Sequence, residues 1–213
     1  MAALLFVFEG ADGVGKTRRC HDTYEFIARL GVPCDVFSFP GKKLGSLGQI
    51  VHTIHNKPQE LRLPSVRPAA LQTLHIAAQI DAIERDVLPA LRRGRVVLLD
   101  RFWWSTWVYG SEAGVDSSVL TGLVELEQRV WRDVMPTAVF FIDREKPIRP
   151  EQSPRIFKRL RCLYQELAGS ERKNYPVFTI RNDDFDIAQA KIQRIVKDAL
   201  STTEKPSAPP LVS

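Results

Sequence analysis

The sequence has few cysteines and no long hydrophobic run, and both features narrow the class of protein. Three cysteines occur among 213 residues, and they form no CxxC pair and no cluster with histidine. Such a set argues against a disulfide framework and a zinc site, and it favours free thiols in a reducing compartment. The N-terminal run MAALLFVFEG is too short to span a bilayer and lacks the basic start of a secretion signal. We therefore predict a cytoplasmic protein with no membrane partner.

A long block of lysine and arginine is also missing, although the chain is moderately basic. Its formal net charge is +5 and its isoelectric point is near 9.2. Because the basic residues are spread along the chain, we expect anionic small molecules rather than nucleic acid as ligands. The length suits one α/β domain, and the hydrophobic content of 44% is ordinary for a globular protein.

Short β-type runs alternate with helical segments along the chain. We predict strands at 4–9, 34–39, 95–100, 137–143 and 177–180. Helices are predicted at 16–30, 44–57, 68–93, 116–134, 154–168 and 186–200. Pro89 is expected to bend or restart the third helix. The alternation indicates right-handed βαβ units in a doubly wound sheet. Residues 1–200 then form one domain, followed by a Pro/Ser-rich tail at 201–213 that we predict to be disordered.

The stretch GADGVGKT at 10–17 has the spacing of a phosphate-binding loop. It follows a predicted strand and precedes a predicted helix, which is the context such a loop requires. Its glycines let successive N–H groups turn toward phosphate oxygens, and the helix adds the positive end of its dipole. We expect Lys16 to reach the β- and γ-phosphates and the Thr17 hydroxyl to hold Mg²⁺. The predicted nucleotide-binding residues are Gly10, Gly13, Val14, Gly15, Lys16, Thr17 and Arg18.

The loop does not say which group accepts the phosphate, and three further stretches bear on that question. Asp100 and Arg101 follow an aliphatic strand, so they lie at the sheet edge where ligands of open α/β sheets bind. Asp100 would hold Mg²⁺ with Thr17, and Arg101 would hold an acceptor phosphate; a salt bridge at a strand end is the alternative. Asp12 is unfavourable near a triphosphate, so it faces the second substrate or is an exposed turn residue. SFPG at 38–41 lines a pocket wall or is an ordinary turn.

Five segments together resemble the thymidylate kinase family: FVFEGADGVGKT, FPG, AAQIDAIERDVLPALRRG, VVLLDRFWWSTWVYG and RPEQSPRIFKRLRCLYQEL. The correspondence runs in order from about Leu4 to about Leu200. It implies a P-loop nucleoside-monophosphate-kinase fold, with three α/β/α layers, a five-stranded parallel sheet and a mobile lid, which falls at about 144–155 in this chain. It also implies transfer of the ATP γ-phosphoryl group, with Mg²⁺, to a nucleoside monophosphate, dTMP or another pyrimidine deoxynucleotide. Members of the family often form dimers, so the resemblance suggests a homodimer.

Matching positions carry the family's catalytic roles onto this chain. Lys16 and Thr17 match the loop for ATP and Mg²⁺. Asp12 matches the acid that approaches the 3′-hydroxyl of the acceptor sugar, and Arg101 matches the arginine on the acceptor phosphate. The catalytic residues implied by the resemblance are Lys16, Asp12, Arg101 and Arg149.

The resemblance also assigns the pocket wall and the lid. The family's pocket-wall motif is matched by Phe39 and Pro40. The stretch that lines the acceptor pocket is matched by Ser105, Thr106 and Tyr109. Tyr109 is expected to pack against the sugar and to disfavour a ribose 2′-hydroxyl. The lid motif R-x-E and the residues after it are matched by Arg149, Glu151, Phe157 and Tyr164.

Two features depart from the family pattern. Where the family places an aromatic residue and then an arginine against thymine, this chain has His75 and Gln79. Positions i and i+4 share a helix face, so the pair can still meet a base, or it can face solvent or core. Gln79 offers a neutral donor and acceptor in place of a cationic fork, which leaves the identity of the base open. The lid is short, since only REKPI separates Asp143 from Arg149; the other basic residues available there are Arg144, Lys146 and Arg155.

Three interpretations of the function follow. The leading hypothesis is a nucleoside monophosphate kinase. A kinase for a nucleoside or another small acceptor would leave Arg101 without an acceptor phosphate. A degenerate nucleotide-binding partner protein would suit the altered base-facing pair and the short lid, but Lys16, Thr17 and the Asp100–Arg101 pair are intact. A cluster of tryptophans is expected to serve packing rather than base stacking: Trp103, Trp104 and Trp107.

Overall fold

A computed structural model describes residues 4–41, 43–148 and 153–203. Its five parallel strands form one sheet in the order β2-β3-β1-β4-β5. The strands are β1 (Leu5–Glu9), β2 (Cys34–Ser38), β3 (Val96–Asp100), β4 (Ala138–Asp143) and β5 (Val177–Arg181). All five predicted strands are confirmed to within one residue at each end. The three central strands are buried along their whole length, which explains why their sequences are apolar without alternation.

Helices cover both faces of the sheet and complete the predicted three-layer α/β/α architecture. They are α1 (Lys16–Arg29), α2 (Leu47–Asn56), α3 (Pro68–Ala82), α4 (Leu88–Arg92), α5 (Trp103–Glu112), α6 (Ser117–Trp131), α7 (Pro154–Glu171) and α8 (Phe185–Thr203). A short 3₁₀ helix, Pro58–Leu61, follows α2. Within the described residues, no helix combines the length and apolar character that crossing a bilayer requires.

Three helix predictions needed correction. The helix predicted at 68–93 is divided by a π-helical turn, Ile83–Val87, just before Pro89. Proline has no N–H, and its ring clashes with the carbonyl group four residues earlier in an α-helix. Pro89 therefore explains why the helix changes to a π-helical turn just before it. Helix α5 was missed, because its aromatic and β-branched residues favour a strand in isolation. Helix α8 runs three residues into the predicted disordered tail, and 204–213 lie outside the described residues.

Aromatic packing joins the sheet to α5 and α6. Trp103 and Trp104 are buried, and the Trp104 indole N–H donates to the Tyr175 hydroxyl at 2.8 Å. Trp131 of α6 packs edge-on against Phe102, with ring centroids 5.5 Å apart. The two tryptophans after Phe102 are therefore packing residues, as predicted. Because this packing fixes α5 against the sheet, it also fixes the chain that follows the C-terminal end of β3.

A carboxyl group is enclosed in this packing. Glu127 of α6 is fully buried, and its Oε1 accepts a hydrogen bond from the Trp131 indole at 3.1 Å. Its Oε2 has no hydrogen-bond partner among the described residues. Burial raises the pKa of Glu127 from 4.5 to about 8, against the opposing effect of the Trp131 indole. The side chain is therefore mostly protonated at neutral pH in the folded state.

Glu127→Gln is expected to stabilise the protein increasingly as the pH rises from about 4.5 to about 8. In that window the unfolded chain releases the Glu127 proton while the folded chain keeps it, so the wild type loses stability with rising pH. Glutamine does not titrate and avoids this loss. Urea unfolding of both proteins between pH 5 and 8 measures the difference, with the exposed Glu125→Gln on the same helix as a control. If the free energies of unfolding of Glu127→Gln and the wild type differ by the same amount at every pH, the raised pKa of Glu127 is contradicted.

Candidate active site

The phosphate-type loop connects the end of β1 to the start of α1. Gly10 and Gly15 have φ values of +144° and +91°, a region that side chains with a Cβ rarely adopt. A Cβ at Gly10 would lie 2.3 Å from the Ile142 carbonyl oxygen, so this position also needs glycine for space. Gly15 is the N-cap of α1. The loop therefore presents the open N-terminus of a helix beside the sheet edge.

Lys16 is held inside this loop. Its ammonium group donates to the Ala11 carbonyl oxygen at 2.8 Å and lies 3.6 Å from Asp12 Oδ1. Only 5% of the side chain is exposed. Burial, reinforced by Arg101, lowers the pKa of Lys16 to about 8. The group is thus poised beside the loop backbone, where bound phosphates would favour its charged form.

Two segments from the far half of the sheet contact the same loop. The Ile148 N–H donates to the Gly13 carbonyl oxygen at 2.8 Å. Asn182, at the end of β5, donates through Nδ2 to the Val14 carbonyl oxygen at 2.6 Å and is fully buried. These contacts fix the loop from the β4–β5 side. The side chain of Arg18 is 76% exposed and pairs with Asp22. The nucleotide-binding role of Arg18 stays a prediction.

Thr17 and Asp100 meet between α1 and β3. The Thr17 hydroxyl donates to Asp100 Oδ2 at 2.7 Å. Asp100 Oδ1 is buried without a hydrogen-bond partner among the described residues. A carboxylate and a hydroxyl are the hard oxygen ligands that Mg²⁺ prefers, and a buried carboxylate oxygen without a partner is costly unless a cation or water meets it. This pair therefore fits a magnesium ion.

A cavity of about 490 Å³ opens beside the loop. All nine side chains predicted to bind the second substrate line it, together with Thr17 and Asp100. These nine are Asp12, Phe39, Pro40, His75, Gln79, Arg101, Ser105, Thr106 and Tyr109. Sequence reasoning missed four further lining residues, on α2 and α3: His52, His55, Asn56 and Gln72. These four residues share only that they are polar and lie on helices next to a predicted pocket wall. Many other residues share these properties, so the sequence does not single them out.

The charged side of the cavity is organised by Arg101. Its Nη2 donates to Asp12 Oδ1 and its Nη1 donates to Ser105 Oγ at 3.1 Å, while the guanidinium lies 5.6 Å from the ring centre of Tyr109. The Asp12 N–H donates to the Tyr109 hydroxyl at 2.9 Å. Burial opposes the ionised form of Asp12, but Arg101 and Lys16 outweigh it and lower the pKa of Asp12 to about 2. The ion pair suggested for Arg101 thus forms with Asp12 of the loop.

The α2 and α3 wall of the cavity is neutral in character. His55 Nδ1 and His75 Nε2 share a hydrogen bond at 3.0 Å. Burial, reinforced by His55 and Arg101, lowers the pKa of His75 to about 4. Gln79 is buried, and its Nε2 donates to Thr106 Oγ1 at 3.3 Å. His75 and Gln79 both line the cavity, and their role against a base stays a prediction.

Sequence reasoning also missed a buried carboxylate, Glu9, at the end of β1. Its Oε1 accepts from the backbone N–H groups of Phe102 at 2.7 Å and Ser105 at 3.1 Å. Its Oε2 accepts from Gly10 N–H at 3.3 Å, Ser105 Oγ at 3.0 Å and the Tyr164 hydroxyl at 3.2 Å. Burial raises the pKa of Glu9, while Arg101 and Lys16 oppose the rise. A charged residue inside an otherwise apolar strand was the available signal.

Part of the predicted lid lies outside the described residues. That part includes Arg149 and Glu151. Arg144 is described, and it donates to the Asn182 carbonyl oxygen at 2.7 Å. Arg161 of α7 holds the buried Asp143 through two hydrogen bonds, at 2.6 and 2.9 Å. The helix that follows the predicted lid is thereby attached to the end of β4.

Comparison with known proteins relates the chain to one family. A family model described as thymidylate kinase matches residues 8–192. The thymidylate kinase of Pelotomaculum thermopropionicum is 29% identical over 192 residues, which cover 83% of this chain and 85% of that protein. The thymidylate kinase of Bacillus velezensis is 32% identical over 154 residues, which cover 70% and 68% respectively. A crystal structure of thymidylate kinase from Ehrlichia chaffeensis shares the fold, with a TM-score of 0.71 and 24% identity over 94% of this chain and all of that one.

Gly48→Ala is expected to destabilise the protein by about 1–3 kcal/mol through overpacking. Helix α2 contacts the Phe39–Pro40 wall so closely at Gly48 that a Cβ there would lie 1.8 Å from the Pro40 carbonyl oxygen. Gly122→Ala in α6 is the matched control, because a Cβ at Gly122 has nothing within 4 Å. Urea unfolding measures both variants. Equal stability of the two variants would show that α2 does not depend on this close approach.

Proposed function

The chain belongs to the thymidylate kinase family, and from that premise we propose how its candidate site works. It is an ATP-dependent phosphotransferase that acts on a nucleoside monophosphate. The names of its relatives indicate dTMP as the acceptor. The observation that carries the proposal is the single cavity in which the phosphate loop, Arg101 and Asp12 meet. Arg101 there offers a cation that can pair with an acceptor phosphate. A nucleoside has no phosphate to pair with it, which supports a monophosphate as the acceptor.

We assign the ATP phosphates to the loop at 10–17. Backbone N–H groups at the start of α1 and the Lys16 ammonium would neutralise their negative charge. Thr17 and Asp100 would hold Mg²⁺, whose oxygen preference they fit. Held by these residues, Mg²⁺ would supply positive charge that offsets the negative charge of the phosphates. The protein's own contribution is to hold the phosphates in line and to exclude other orientations.

We assign the acceptor phosphate to Arg101 and the acceptor sugar to Asp12 and Tyr109. The guanidinium has five N–H donors, so it can hold a phosphate and keep one contact to Ser105. Asp12 stays ionised at neutral pH, with a pKa of about 2, and can accept a hydrogen bond from a sugar hydroxyl. An acceptor phosphate oxygen is already anionic and therefore needs no general base. Catalysis then rests on alignment and on neutralising charge, through Lys16 and Arg101.

The remaining predictions extend this proposal. We retain Arg149 as the lid arginine and about 144–155 as the lid. Arg155 is exposed at the start of α7 and is the second candidate, whereas Arg144 is engaged with Asn182 and Phe185. A homodimer and a cytoplasmic location also stay predictions.

Purified protein with ATP and Mg²⁺ is expected to release ADP when dTMP is added and not when thymidine is added. A panel of nucleosides, ribonucleotides and deoxynucleotides, followed by a coupled ADP assay, makes the measurement. Lys16→Ala is expected to lower kcat by about 10²–10³-fold, because it removes a buried cation beside the developing charge. Lys197→Ala, an exposed change on α8, is the matched control. If the protein binds ATP but phosphorylates no acceptor in the panel, the kinase assignment is wrong.

Glu9→Gln is expected to lower the free energy of unfolding by about 1–3 kcal/mol. An amide NH₂ group then replaces one carboxylate oxygen and faces N–H and O–H groups that also donate. The substitution should also raise KM for the acceptor more than KM for ATP, since the backbone after Arg101 is hydrogen-bonded to Glu9. Steady-state kinetics with each substrate varied in turn make the test. Glu166→Gln, exposed on α7, is the control. Equal changes in the two KM values would contradict a positioning role for Glu9.

A further inference from the structure

The wall of the cavity formed by α2 and α3 carries no fixed charge. Among the described residues that line the cavity, the only arginine or lysine is Arg101, and it is paired with Asp12. The histidines that contribute to this wall include the hydrogen-bonded pair His55 and His75. Burial lowers the pKa of both, so the pair is neutral at neutral pH. A base placed against His55, His75 and Gln79 would meet neutral donors and acceptors.

Gln79 is the member of this wall with unmet hydrogen-bonding capacity. Only 3% of the residue is exposed, and its Nε2 donates to Thr106 Oγ1. Its Oε1 is buried without a hydrogen-bond partner among the described residues. An amide oxygen in this condition is costly, and the structures of proteins rarely tolerate it without a reason. Gln79 is also one of the residues that line the cavity, so a bound base could supply the missing partner once the amide turns toward it.

The Gln79–Thr106 hydrogen bond can run in two directions. The glutamine amide has both a donor and an acceptor end, and the threonine hydroxyl can donate or accept. In the direction observed, the amide nitrogen donates to Thr106 and the carbonyl oxygen is left to accept from a ligand. If the amide turns over, the Thr106 hydroxyl donates to the carbonyl oxygen and the amide nitrogen is left to donate. The change needs one amide rotation and one hydroxyl rotation, and no charge moves.

Pyrimidine bases differ at the edge that such a pair would contact. Thymine and uracil present the O4 acceptor, whereas cytosine presents the N4 amino donor. We propose that Gln79, positioned by Thr106, reads this edge in both directions, so that amino- and keto-pyrimidine monophosphates are both acceptors. The inference rests on the proposed kinase function and deepens it. An arginine at residue 79 would donate only and would oppose the amino group of cytosine.

The test compares kcat/KM for dCMP and dTMP in the wild type and in Gln79→Arg. The wild-type values are expected to lie within about tenfold of each other, because each base leaves no buried group unpaired. In Gln79→Arg the ratio of kcat/KM for dCMP to kcat/KM for dTMP should fall by about a hundredfold. The guanidinium and the amino group of cytosine are both donors and would then face each other. Gln128→Arg adds the same charge at an exposed position of α6 and should leave the ratio unchanged.

Two Thr106 variants test its positioning role. Thr106→Val removes the hydroxyl that fixes the amide, so KM should rise for both acceptors. Thr106→Ser keeps the hydroxyl and should have KM values close to those of the wild type for both acceptors. Titration calorimetry of dCMP and dTMP with each protein separates base recognition from the chemical step. Equal KM values in Thr106→Val and the wild type would overturn the part assigned to Thr106.

The wild-type measurement decides the inference even if a variant fails to fold. A wild type that prefers dTMP over dCMP by more than about a hundredfold would overturn the inference and leave the proposed function intact. An unchanged ratio in folded Gln79→Arg would do the same. Phosphorylation of neither monophosphate would overturn the proposed function as well.

Discussion

The geometry of the site depends on the hydrogen bonds that the carboxyl group of Glu9 accepts. This group lies at the end of the central strand, and its five hydrogen-bond donors come from the phosphate loop, the chain after β3 and helix α7. Two of those donors are N–H groups at the start of α5, so Glu9 acts as a buried cap for that helix. Arg101 precedes this helix with a φ of +78°, a conformation that a non-glycine residue keeps only under strong local constraint. Burial raises the pKa of Glu9, and this rise is opposed by Arg101 and Lys16, the two cations assigned to the two substrates.

The site divides electrostatically into two parts. Around Arg101 the groups are charged, and the ion pair with Asp12 joins the loop to the chain after β3. Along α2 and α3 the groups are neutral, and the hydrogen bonds His55–His75 and Gln79–Thr106 replace ion pairs. Such a division suits a ligand with an anionic end and an uncharged end. In the proposed function, phosphate contacts would supply most of the affinity and the neutral wall would set the choice of base.

The sequence allowed prediction of features that depend on local spacing, and not of features that depend on how distant segments meet. The phosphate loop and the Asp100–Arg101 pair could be found because each follows a recognisable strand. Helix α5 could not, since its aromatic residues are placed by tertiary packing, Trp103 against Phe102 and Trp104 against Tyr175, rather than by their own preference. The role of Glu9 depends on partners more than 90 residues away along the chain. The family resemblance supplied His75 and Gln79, but their hydrogen-bond partners came only with the structure.

The order of the strands has an evolutionary consequence. The residues that line the acceptor cavity, apart from those of the phosphate loop, come from the chain between β2 and α5, at 38–109. The contacts that hold the loop from the other side come from Ile148 and Asn182, after β4 and β5. Only β1, at the centre, belongs to both halves. Over evolution, substitutions on α2 and α3 can therefore change the side chains that line the cavity while the contacts of Ile148 and Asn182 to the loop stay the same.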